Sequence, residues 1–127
     1  MTYVNAGHPA GVQWSERRAR GLRVGGPPAG LLADATFDEE TLTLDEGDLV
    51  VFVSDGVTEA LDGEDGVATI AAQIERAKER TPDAVCTHLL SAAKQGPGPR
   101  GVDAWMDDRA VVVFGPTRTA GELHRGD

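Results

Sequence analysis

The chain has one cysteine, Cys86, among its 127 residues. An internal disulfide and any zinc site built from several cysteines are therefore excluded. Aromatic residues are scarce, at 5%, so a core has to be assembled from Val, Leu, Ile and Ala. No apolar run approaches the roughly 20 residues that a membrane-spanning helix needs. Met1 to Gly7 lacks the basic-then-apolar order of a secretion signal, and a cytoplasmic location is expected. Basic residues are outnumbered by acidic ones, 12 to 21, for a formal charge of −9. A phosphate backbone would repel such a chain, which argues against general nucleic-acid binding. The same acidity suits hard divalent cations, and it equally suits an ordinary soluble protein.

Hydrophobic residues make up 40%, enough for a buried core. The first third reads as short strands: Thr2 to Asn5, Gly11 to Trp14 and Leu22 to Val24, with the Arg-rich stretch Ser15 to Gly21 as a hairpin connection. Gly25 to Gly30 holds two prolines and three glycines and is expected to be irregular. Thr36 to Leu44 alternates and predicts a half-exposed strand. Leu49 to Val53 is the most hydrophobic run; its five residues predict a strand buried on both faces. Val67 to Arg80 has helical spacing at Ile70, Ala71, Ile74 and Ala77. Thr81 then caps a second helix with Pro82 at its first position, placing Val85, Leu89 and Ala93 on one side. Cys86 is expected to be buried in that helix. Ala110 to Phe114 predicts a last buried strand. The expected fold is α+β, a partial antiparallel β-sandwich with two flanking helices. The domain is expected to span residues 1–115, followed by a polar tail at 116–127.

Acids sit at two places where core strands meet loops. Asp55 follows the buried run and precedes Gly56. Asp107 and Asp108 precede the last strand. If those strands are neighbours, the carboxylates converge on one Mg²⁺ or Mn²⁺. Acids also solvate turns and strand ends, and local pattern alone does not choose between the two readings.

Four blocks occur in order: YVNAGHP at 3–9, GGPPAGLL at 25–32, LDEGDLVVFVSDGVTEA at 44–60 and DDRAVVVF at 107–114. Together they resemble the second half of the SpoIIE/RsbU branch of the PPM (type 2C-like) protein phosphatases. The resemblance implies a sandwich of two antiparallel sheets flanked by helices, with a binuclear Mn²⁺ or Mg²⁺ centre at one end. It implies hydrolysis of phosphoserine or phosphothreonine by a metal-activated water, with no covalent phosphoenzyme. It casts Asp55 and Asp107 as metal ligands, with Gly56 and Asp108 beside them and Glu59 near an accessory metal. Asn5, Gly7 and His8 match a turn that faces the site, in a supporting or substrate-facing role. Each of these three also suits a purely structural turn. The implied substrate is a phosphoprotein such as an anti-sigma-factor antagonist in bacterial signalling.

The chain departs from the family pattern in two ways. The Asp-rich motif of the family's first half, which ends in Gly-His-Gly and supplies a metal-bridging aspartate, has no match here. Ala110 stands where relatives carry threonine. The expectation is weak or no activity alone, an uncovered apolar sheet face, and a homodimer or association with the missing half. A non-catalytic module that binds a regulatory partner is the alternative.

Overall fold

Leu49–Val53 forms the expected strand and organises everything around it. In the computed structural model, which describes residues 1–96 and 108–116, the elements run in chain order as follows. The strands β1 (Thr2–Tyr3), β2 (Asn5–Ala6), β3 (Gly11–Ser15), β4 (Arg18–Leu22), β5 (Gly25–Gly26), β6 (Glu40–Thr41) and β7 (Leu49–Val53) come first. The helices α1 (Asp55–Leu61), α2 (Gly66–Arg76) and α3 (Pro82–Gln95) follow, and then β8 (Val111–Phe114).

Among the described residues, β4-β3-β7-β8 form a four-stranded antiparallel sheet. The helices cover one of its faces. Val12, Trp14, Leu49, Val51 and Val53 alternate along β3 and β7 toward that side, where they meet Val57, Ile70, Ile74, Val85 and Leu89. Thr81 Oγ1 accepts from the Ala84 amide and Pro82 opens α3, so the cap works as its sequence suggests. Asp65 caps α2 by accepting from the Val67 and Ala68 amides.

The opposite face is only partly covered. Leu22 and Val50 pack with Leu42, and with half-buried Tyr3, Leu44 and Phe52. The cover is the β1–β6 ribbon, tied by Met1 and Leu42 backbone bonds and by the Tyr3 hydroxyl donating to Glu40. Beyond it, Val112 is 55% exposed and Phe114 38%. The α+β class and the partial sandwich therefore both stand.

Several local expectations change. Three helices flank the sheet among the described residues, not two, because α1 begins directly at Asp55. Its seven residues are too few for a helical period to show, and the packing of Val57 and Ala60 defines it. The hairpin connection shrinks to Glu16 and Arg17. Both are left-handed, with φ of 47° and 65°, a pairing that matches strand twist and lets Arg18–Leu22 become a strand. Gly25–Gly26 is not irregular but pairs in parallel with Asn5–Ala6. The 36–44 segment keeps only Glu40–Thr41 as strand. Helix α2 stops at Arg76, where Ala77 turns extended. Among the described residues the last strand is an edge, half open to solvent, because its ladder has β7 alone as neighbour. Cys86 is half-buried rather than buried. Trp105 and the tail beyond residue 116 lie outside the described residues.

Replacing Leu89, which is fully buried, with alanine should cost about 2–5 kcal/mol. Leu90→Ala, at a position 40% exposed on the same helix, should change stability by no more than about 0.5 kcal/mol. Urea denaturation of both variants measures the contrast.

Candidate active site at the end of the central strand

The corner where β7 gives way to α1 is built around Ser54. Its backbone amide donates to Ala110 O at 3.0 Å, which extends the β7–β8 ladder by one rung. Its hydroxyl donates to Asp108 O at 3.0 Å and accepts from the Ala110 amide at 2.9 Å. Residues 54 positions apart are thereby stitched together by one side chain. Arg109 adds a second anchor by donating to Ala93 O at 3.1 Å near the end of α3. Because Ser54 spends its hydroxyl on this segment, it gives α1 no side-chain cap. The sequence reading passed over Ser54. The signal was a hydroxyl residue between a buried strand and an Asp-Gly step.

Asp55 is the first residue of α1 and is exposed, while Gly56 behind it is buried. Its carboxylate stands in the first turn, where free amides and the helix dipole favour negative charge. The Thr58 hydroxyl donates to Asp55 O at 3.1 Å and tightens that turn. Asp108 is also exposed. Its backbone is held next to Ser54, so the SDG and DDR blocks share one end of the sheet. Asp107 lies outside the described residues.

The NAGHP turn reaches the same end. Asn5 Oδ1 accepts from the His8 amide at 2.9 Å, and the Asn5 amide donates to Val24 O at 2.8 Å. Gly7 has φ of 90°, and a Cβ there would lie 2.7 Å from Pro28 Cα. Glycine is demanded twice at that position, by the left-handed backbone and by the close approach. The GGPP loop is thus the structural partner of this turn: the Ala29 amide donates to Ala6 O, and a Cβ on Gly25 would collide with Asn5 O. His8 is exposed, its Nδ1 lies 2.9 Å from Pro9 O, and its ring stands edge-on to Phe52 at 6.2 Å. Pro9 then joins Thr58, Glu59, Asp62 and Glu64 around an open cleft of about 430 Å³. Glu59 and Pro9 of the NAGHP turn thus line the same cleft.

Carboxylate and carbonyl oxygens are the donors a hard dication takes. The described residues bring two acidic blocks and an acidic cleft to one end of the sheet. They do not bring three Asp, Glu, His or Cys side chains around a common point. The donor chemistry fits Mn²⁺ or Mg²⁺, and the donor set among the described residues is incomplete.

This fold matches part of a PP2C-type phosphatase domain. Residues 1–116 match the family model for stage II sporulation protein E (SpoIIE). The chain belongs to the SpoIIE family. A manganese-presoaked structure of the SpoIIE phosphatase domain from Bacillus subtilis superposes with a TM-score of 0.66 at 17% identity, over 94% of this chain and 51% of that one. The RsbU and RsbW domains of Rv1364c from Mycobacterium tuberculosis give 0.60 at 24% identity, over 92% and 33%. Protein IcfG of Synechocystis sp. is 36% identical over 61 residues, which are 47% of this chain and 10% of that protein. The chain thus spans about half of the solved phosphatase domain and a tenth of the curated relative.

Ser54→Ala should remove both hydroxyl contacts, leave the Ala110 amide short of an acceptor, and cost about 1–3 kcal/mol. Amide hydrogen exchange should quicken at Ala110 and leave Leu89 and its neighbours in α3 slow.

Proposed function

We propose that this chain forms the half of a metal-dependent phosphoprotein phosphatase that carries Asp55 and Asp107 as ligands for Mn²⁺ or Mg²⁺. The observation that supports this most directly is the Ser54 hydroxyl, which seats the Asp108 and Ala110 backbone against the corner that presents Asp55. In this reading Asp107, the sequence neighbour of Asp108, would supply the second carboxylate. Gly56 is buried behind that corner, and Asp108 adds negative charge at its rim. Glu59 and its acidic cleft offer a further position for an accessory cation. Asn5 and Gly7 shape the turn that carries His8 to the same end, where His8 would meet substrate or support the site.

A divalent cation supplies Lewis acidity there when bound, and it makes water a usable nucleophile at neutral pH. The chain's own contribution is geometric: rigid carboxylates at the mouth of a packed sheet. The remaining ligands of a binuclear centre come, in this reading, from outside the described residues. The substrate class is phosphoserine or phosphothreonine in a protein, such as an anti-sigma-factor antagonist in bacterial signalling, in the cytoplasm. The pairing of RsbU and RsbW domains in one M. tuberculosis protein supports that regulatory setting.

A second reading is favoured by the incomplete donor set among the described residues. In it the chain is a phosphatase module without turnover that binds a regulatory partner. It uses the same fold and dispenses with the metals.

Calorimetric titration with Mn²⁺ and hydrolysis of p-nitrophenyl phosphate separate the two. The phosphatase reading expects saturable Mn²⁺ binding that Asp55→Asn weakens by at least about tenfold, with hydrolysis that EDTA abolishes. Titration heats that are identical for the wild type and Asp55→Asn, with no metal-dependent hydrolysis, would leave the non-catalytic module.

A further inference from the structure

Among the described residues the sheet ends at β4, and that edge carries a dense run of positive charge. Arg17, Arg18, Arg20 and Arg23 are four of the 12 basic residues in a chain of net charge −9. All four are exposed. Arg17 pairs with Glu75 at 3.6 Å, and Arg20 bonds Glu40. Arg18 and Arg23 make no ion pair among the described residues.

The backbone of this strand is open as well. With a two-residue turn, Ser15 and Arg18 close the hairpin as a hydrogen-bonded pair. The ladder alternates, so Gln13–Arg20 and Gly11–Leu22 are bonded too. Ala19 and Gly21 then turn their N–H and C=O groups outward, away from β3. No other segment among the described residues bonds them. Both are small and share the helix-side face with Trp14 and Val12, and at Gly21 the Arg23 guanidinium and Val67 lie over that face. Arg18 and Arg20 project from the other face.

Charge on an edge strand deters pairing, but charge of one sign deters only its like. Two copies joined through β4 would set arginine against arginine. An acidic strand meets both an open ladder and opposite charge. We propose that the β4 edge docks an acidic, extended segment of a partner protein, which adds as a strand beside β4. The chain shows the charge half of this recognition internally: Glu40, at the end of the acidic run Asp38-Glu39-Glu40, lies on Arg20. A nucleic acid would meet the same arginines but also the repulsion of the whole acidic chain. The proposal uses no residue of the Asp55 corner and does not depend on phosphatase activity.

The probe is a fluorescein-labelled peptide of alternating glutamate and threonine, read by anisotropy at low salt. The control keeps the glutamates and replaces the threonines with proline, which cannot join a ladder. The first peptide should bind at least about tenfold more tightly than the control. Arg18→Glu with Arg23→Glu should weaken binding by about tenfold or more, and the milder Arg18→Gln with Arg23→Gln by less. Ala19→Pro should weaken it too, since it removes an outward amide that has no partner in the sheet. Circular dichroism confirms that each variant folds. Equal binding of the two peptides, indifference to both arginine pairs, or tighter binding of an oligothymidylate of equal charge would each overturn the proposal. A wild-type dimer in sedimentation that Arg18→Glu with Arg23→Glu dissolves would overturn it in favour of a second copy.

Discussion

The double hydrogen bond of Ser54 is the contact on which the candidate site rests. A hydroxyl can accept and donate at once, and here it does both toward one segment, holding Asp108 O and the Ala110 amide. That geometry fixes where β8 begins, and therefore which end of the sheet the DDR block occupies. Remove the stitch and, among the described residues, Arg109 on Ala93 is the remaining side-chain anchor of that segment. The carboxylates of the corner depend on backbone that one serine holds in place.

The sheet behind this corner is finished on one side only. Toward the helices it is a dense core of Val, Leu, Ile and Ala with Trp14. Toward the other side a short ribbon covers Leu22 and Val50 and leaves Val112 and Phe114 in the open. Apolar strand residues exposed in this way are a cost to an isolated domain and an asset where another layer packs. The solved SpoIIE phosphatase domain is about twice as long as this chain. The half-covered sheet is consistent with a chain that spans half of such a domain.

Much of the fold was legible. Leu49–Val53 declared itself by β-branched residues between turns, and α3 by its Thr-Pro start and the Val85, Leu89, Ala93 spacing. The helix α1 was not legible, because seven residues hold fewer than two turns of periodicity and its first residue doubles as an acid of the candidate site. The β4 strand hid behind its arginines: an edge tolerates charge that a central strand would not. The parallel pairing of Asn5–Ala6 with Gly25–Gly26 was masked by prolines that suggested irregularity. Those prolines follow the paired glycines and leave the pairing intact.

The order of residues by itself determined the family and the central strand, because short motifs and hydrophobic period are local properties of a chain. It also named the acids, since only a few sit where buried strands stop. Which strand ends meet was decided by tertiary structure. Distance along the chain says nothing about distance in space, and it took the antiparallel pairing of β7 with β8, sealed by one hydroxyl, to bring the segment at 108–110 to residue 54.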